Sequence, residues 1–80
     1  MKISIIIPVL NEEQNLLRLG DYLRAIRQQG HEVIIVDGGS TDNTLSIAYD
    51  VTEAVIISKS GRAMQMNSGA ATASGELLLF

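Results

Sequence analysis

Short apolar runs alternate with longer amphipathic stretches along this chain, and the polar breaks between them predict its elements. Ile3 to Val9 is β-branched and nearly continuous, which suits a strand buried on both faces. Pro8 lies at its end, where a missing N–H does least harm. Asn11 is a good helix N-cap, and Glu12 and Glu13 bring negative charge to the first turn. Gln14, three residues after Asn11, makes the pattern resemble a capping box. Leu16, Leu19, Leu23 and Ile26 then recur at helical spacing as one buried stripe, with Arg24, Arg27 and Gln28 mainly on other faces. Gly30 is placed to end this helix in a left-handed conformation.

The alternation continues. Glu32 to Asp37 reads as a second strand. Thr41 or Asp42 caps a short helix carrying Leu45, Ile47, Ala48 and Tyr49. Ala54 to Ser58 reads as a third strand, and Gly61 to about Ala73 as a third helix rich in small residues. Gly75 breaks that helix, and Glu76 to Phe80 forms a fourth strand. The order β-α-β-α-β-α-β implies an α/β fold: a parallel, Rossmann-like sheet with right-handed crossovers and alternating helices on both faces. Ligands of such sheets sit at the carboxyl ends of the strands. The loops after Pro8, Asp37 and Ser58 are therefore the first places to look. Because the chain stops within an apolar strand, the expectation is a domain that continues past Phe80.

Composition narrows the choice. Apolar residues are 46% of the 80 and charged residues 19%, which is globular rather than disordered. The net charge of −3 offers no basic patch for nucleic acid. With no cysteine and a single histidine, His31, disulfides, thiolate sites and histidine metal clusters are excluded. No apolar run approaches the ~20 residues of a membrane helix, and no signal peptide is recognisable at the start. A cytoplasmic location is expected, with a peripheral position at the inner membrane face also compatible.

Asp37 carries the most chemical information. It ends an apolar strand and precedes Gly38 and Gly39. A carboxylate there must be paired or wet. It either accepts hydrogen bonds from a nucleobase or ribose, or braces the Gly-Gly loop, and the local pattern leaves both open. Gly38 and Gly39 let backbone approach a ligand or take positive φ. Ser40 to Thr44 reads mainly as helix capping. Lys59 and Arg62 bring cations to the amino end of the third helix, where the dipole disfavours them. A bound phosphate beside Arg62 would compensate, whereas Lys59 reads as solvated.

The remaining polar and small residues read as structural. Gln65 and Asn67 hydrogen-bond a neighbouring loop, Met64 and Met66 fill core, and Gly69, Ala70 and Ala71 suit close helix-to-sheet packing. His31 is a solvated turn residue away from the ligand edge. Glu13 serves the first helical turn, and Glu12 lies nearer the pocket.

The segments Ile5-Ile6-Ile7-Pro8-Val9-Leu10-Asn11-Glu12-Glu13 and Val36-Asp37-Gly38-Gly39-Ser40-Thr41-Asp42 resemble the opening of family 2 glycosyltransferases of the GT-A fold. Gly61 to Ala70, followed by Gly75 to Phe80, resembles a bacterial branch of that family. The resemblance implies that residues 1–80 are the amino-terminal, nucleotide-sugar-binding portion of such an enzyme. It implies that Asp37 contacts the nucleobase, that Pro8, Leu10, Asn11 and Glu12 line the base and ribose site with Gly38 and Gly39, and that Arg62 lies near the nucleotide. The partners implied are a nucleoside-diphosphate sugar and an unknown acceptor.

The Asp-x-Asp motif that would hold Mg²⁺ or Mn²⁺, and the catalytic base, would follow Phe80. This portion alone is therefore expected to be inactive, to contribute no catalytic or metal-binding residue, and to self-associate through exposed strands. The Asp-Gly-Gly form departs from the commoner Asp-Asp-Gly at Gly38, which removes one carboxylate contact. A dinucleotide-binding oxidoreductase would need glycines after the first strand; Pro8 to Glu13 has none, and its carboxylates would repel a pyrophosphate. A small non-catalytic nucleotide-binding or assembly module is the alternative, and the coding sequence after Phe80 would separate it from the transferase.

Overall fold

The structure, a computed structural model, describes residues 1–79, excepting the side chains of residues 77–79. Its elements run β1 (Ile3–Val9), α1 (Glu13–Gln28), β2 (Glu32–Asp37), α2 (Thr44–Val51), β3 (Val55–Ile57), α3 (Arg62–Thr72) and β4 (Glu76–Leu79). The strands form one parallel sheet in the order β3-β2-β1-β4. The expected alternation and parallel sheet are both present. The third strand is shorter than Ala54 to Ser58, and the third helix stops at Thr72. Phe80, the last residue of the expected fourth strand, lies outside the described residues.

β2 explains why its sequence is an unbroken apolar run. Val33 and Ile35 pack with Leu16, Leu23 and Val51 of α1 and α2. Ile34 and Val36 join Ile6 in a second cluster against Met66 and Ala70 of α3. Successive side chains point to opposite faces, so α1 and α2 cover one face and α3 the other. Each fully buried aliphatic side chain contributes roughly 1.5–3 kcal/mol. Leaving β1, the chain steps outward through β2 to β3. It then returns through α3 to lay β4 on the other side of β1, which makes the β1–β4 boundary the point where chain direction reverses.

Several local expectations are corrected. In α1 the inward stripe is Leu16, Gly20 and Leu23, while Leu19 is 44% exposed. Gly20 faces α2, where an added Cβ would meet the Val51 side chain at 3.6 Å. Arg24 and Arg27 cross to the carbonyls of Asp50 and Val51, at 3.3 and 3.0 Å. Those carbonyls belong to the last turn of α2, which lacks internal partners and favours cations. Gly30 has φ 93° and ends α1 as expected.

Asn11 is not the cap of α1. Glu12 stands at that position, and no side chain caps the helix. Asn43, rather than Thr41 or Asp42, stands at the cap position of α2, again with no side-chain cap; Asp42, one residue earlier, accepts the Thr44 N–H at 2.9 Å. Met64 is half exposed instead of core, whereas Met66 packs as expected. His31 is half-buried, and its Nδ1 accepts the Ile3 N–H at 3.1 Å. It pins the start of β1 rather than standing in solvent. Gly69 makes the close contact expected of α3: a Cβ there would lie 2.4 Å from an Ile6 methyl and 3.0 Å from one of Val36.

Candidate functional site

The carboxyl ends of the first three strands lie side by side. Val9 of β1 pairs with Asp37 of β2, and Asp37 pairs with Ile57 of β3. The turns leaving them continue the connection: Gly38 N–H donates to the Val9 carbonyl and Ser58 N–H to the Asp37 carbonyl, both at 2.9 Å. Three loops therefore emerge along one edge.

Two of these loops are laced together by side chains. Asn11 takes φ 51°, a left-handed conformation that asparagine tolerates better than most residues. From there its Oδ1 accepts the Thr41 N–H at 2.8 Å, and its own N–H donates to the Ser40 hydroxyl at 2.9 Å. Glu12 N–H donates to Thr44 Oγ1 at 2.9 Å. Glu13 Oε1 accepts the Asn43 N–H at 3.1 Å. Thr44 is buried, and its hydroxyl donates in turn to Asp42 Oδ1. The Thr44 hydroxyl holds the Asp42 carboxyl below its ordinary value. Capping propensity misses this lacing because each partner lies about thirty residues away. The signal was the density of hydroxyl and amide side chains at Ser40 to Thr44.

Asp37 is 2% exposed. Its Oδ2 accepts the N–H groups of Gly39 and Ser40, both at 2.9 Å, and its Oδ1 accepts the Ser40 hydroxyl. The carboxylate thus braces the turn after β2, one of the two roles left open by its sequence context. Gly39 supports that turn with φ 99°. Ser40 links this brace to Asn11, so Asp37 and Asn11 belong to one network.

Arg62 opens α3 directly after Gly61, whose φ is 133°. It lines a hollow of about 160 Å³ with Pro8, Val9, Leu10, Glu12 and Gln65. Of the expected site residues, the structure brings Pro8, Leu10, Glu12 and Arg62 to this hollow. Gly38 packs against Gln65 at its border. Asn11 and Glu12 line a larger hollow of about 350 Å³ with Glu13, Gln14, Asn15 and Asp42. Asp37 and Gly39 line neither. The larger hollow carries three carboxylates, Glu12, Glu13 and Asp42, and like charge disfavours a phosphate there. Gln65, expected only to touch a loop, is buried and donates to carbonyls at the ends of β1 and β2. Among the described residues, no cluster of carboxylate or imidazole groups fits a metal ion.

The sequence profile of glycosyl transferase family 2 matches residues 4–80. The chain belongs to this family. Similar family proteins include an uncharacterized glycosyltransferase of Nostoc sp., 33% identical over an 87-residue alignment that covers the whole chain and 27% of that protein. Another is the undecaprenyl-phosphate 4-deoxy-4-formamido-L-arabinose transferase of Yersinia pestis, 43% identical over 49 residues, covering 58% of the chain and 15% of that protein. The crystal structure of S. aureus TarS 1–349 superposes with a TM-score of 0.79 and 28% identity over the whole chain, which spans 27% of it. The chain thus spans about a quarter of the length of the Nostoc relative. The expected family and parallel α/β fold are borne out. Among the described residues, no helix is long and apolar enough to cross a membrane.

Proposed function

We propose that the whole protein transfers a sugar from a nucleoside-diphosphate donor to an acceptor, and that this chain holds the nucleotide. The observation that carries the reading is the hollow shared by Arg62 with Pro8, Leu10 and Glu12 at the carboxyl edge of a family 2 fold. Ligands of open α/β sheets settle at that edge. The guanidinium offers planar donors suited to phosphate oxygens, and the amino end of α3 favours an anion beside it. The acidic hollow next to it directs the diphosphate toward Arg62. Asp37, which lines neither hollow, serves the base side indirectly by bracing the turn through the N–H groups of Gly39 and Ser40, and Asn11 ties that turn to the loop after β1.

Mg²⁺ or Mn²⁺, which would neutralise the leaving diphosphate, belongs to the same proposal, with ligands other than a cluster of the residues described here. A peripheral position at the inner membrane face is also proposed. The support is the Yersinia relative, whose name carries undecaprenyl phosphate, a lipid. Residues 1–80 alone are expected to show no turnover in a time course with several donors. Self-association through the sheet edges β3 and β4 is expected by light scattering, and a clean monomer at high concentration would contradict it.

Calorimetry on the whole protein with uridine, guanosine, cytidine and thymidine diphosphates tests the central claim. One of them should bind, and Arg62→Ala should weaken it about tenfold or more, in line with loss of a charge-assisted contact. Asp37→Ala should weaken the free nucleoside as well. Unchanged affinity in both variants rules the site out.

A further inference from the structure

Gln65 lies in α3, three residues after Arg62, and is 4% exposed. Its Nε2 donates to the Val9 carbonyl at 3.0 Å and to the Val36 carbonyl at 2.9 Å. Its Oε1 accepts the Gly61 N–H at 3.3 Å. One carboxamide therefore joins the last residue of β1, the penultimate residue of β2 and the residue that precedes α3. Both hydrogens of its NH₂ group are committed. No other side chain reproduces this set. Glutamate has no N–H to give, asparagine is one methylene short, and methionine offers neither carbonyl a donor.

Gly38 meets the same amide from the other side. A Cβ at position 38 would lie 3.0 Å from Cδ and Oε1 of Gln65 and 3.1 Å from Nε2. An amide held by three hydrogen bonds cannot withdraw without breaking at least one. Gly38 has no positive φ, so the conformation of its backbone does not demand glycine. The contact with Gln65 is what disfavours a side chain there.

We infer that Gln65 is a positioning residue: its amide clamps the ends of β1 and β2 to the start of α3, fixes Arg62 over the hollow, and requires glycine at position 38. For the ligand this rests on the proposed function; for the clamp it does not. A purely structural brace would lower stability and weaken every ligand alike. A positioning clamp acts through Arg62, so its loss falls on phosphate recognition.

The test uses the whole protein, with uridine 5′-diphosphate and guanosine 5′-diphosphate as probes and their nucleosides as controls. Gln65→Ala should lose about tenfold or more in affinity for the diphosphate, as expected for a misplaced contact, and clearly less for the nucleoside. Adding Gln65→Ala to Arg62→Ala should cause no further loss. Equal losses on nucleoside and diphosphate, or full additivity in the double variant, overturn the inference. If Gln65→Ala does not fold, Gly38→Ala presses a methyl against the intact amide and should give the same selective loss at smaller size; unchanged affinity overturns the inference.

If neither probe binds the unaltered protein, the donor reading is what fails, and unfolding midpoints still decide the clamp. Gly38→Ala should lower the midpoint when Gln65 is present and have little effect beside Gln65→Ala. The same penalty in both backgrounds overturns it.

Discussion

At the amino ends of the strands, side chains close the sheet on itself; at the carboxyl ends, side chains of the same kinds tie the loops to one another. Ser4 in β1 is fully buried. Its hydroxyl donates to Glu32 Oε1 and accepts the Gly75 N–H, both at 2.8 Å. Glu32 also accepts the Ser74 N–H at 3.1 Å, and Lys2 Nζ donates to the Ser74 hydroxyl at 2.8 Å. Among the described residues, the left-handed one at this pole is Gly30, which stops a helix. At the opposite pole Asn11, Gly39 and Gly61 all have positive φ. Glycine takes such backbone readily, whereas Asn11 is kept there by the surroundings that over-determine it. The contrast teaches that left-handed backbone gathers at the carboxyl edge, while the amino edge is closed mainly by side-chain hydrogen bonds between strands and the turn before β4.

The largest way to break this contrast is Gly75→Ala. An added Cβ would lie 2.8 Å from the Lys2 carbonyl oxygen and 3.0 Å from Ser4 Oγ. Backbone cannot swing aside as a side chain can, so a loss of about 3 kcal/mol in denaturant unfolding is expected. A loss near zero would mean that the amino pole is looser than described.

Asn11→Ala tests the other pole. It removes the acceptor of Thr41 and leaves alanine in a left-handed conformation, for an expected loss of about 1–2 kcal/mol. Asn11→Gly should recover part of the stability but not the nucleotide affinity. If both variants bind as the unaltered protein does, the lacing of the loops has no bearing on the ligand.

Acid sharpens the comparison, because each pole holds one carboxyl with a lowered pKa. Glu32 is lowered first by the Ser74 N–H, with burial opposing and the Ser4 and Ser74 hydroxyls assisting. Asp42 is lowered first by the Thr44 hydroxyl. Such groups add stability that is complete above the unfolded value, near ~4. It fades as the pH falls through the lower folded value. Thermal unfolding measured downward from about pH 5 should therefore show a shallower fall in Glu32→Gln than in the unaltered protein. An identical slope would remove Glu32 from the account. The smallest effect is expected from Asp21→Asn, which breaks the exposed 3.0 Å pair with Arg24. It should shift stability by less than ~0.5 kcal/mol.

The parts of the fold that depend on near neighbours in the chain are legible in the sequence. β1, β2 and the helices appear because apolar runs and helical spacing are local signals. Leu19 was misjudged because the inward place beside it belongs to Gly20, and a glycine leaves no trace in a hydrophobic pattern. Asn11 was misjudged for a different reason: its spacing fits a cap, but the groups that engage it sit on Ser40 and Thr41. Met64 and Met66 share a composition and differ only in which side of α3 they occupy. Asp37 and Arg62 stood out as charges at strand and helix ends. Nothing local distinguished Gln65, whose partners come from two strands that only the sheet brings together.

Gly69 has a consequence for distance rather than contact. With no side chain over the Ile6 methyl, it is the one point on α3 allowed to rest there; sliding the helix by a single residue would seat Ser68 or Ala70 on that methyl. Arg62 lies about two turns upstream, roughly 10 Å along the axis. A missing side chain deep in the interlayer thus gauges how far a surface cation reaches, and a methyl added at Gly69 would be read out at the far end of the rod.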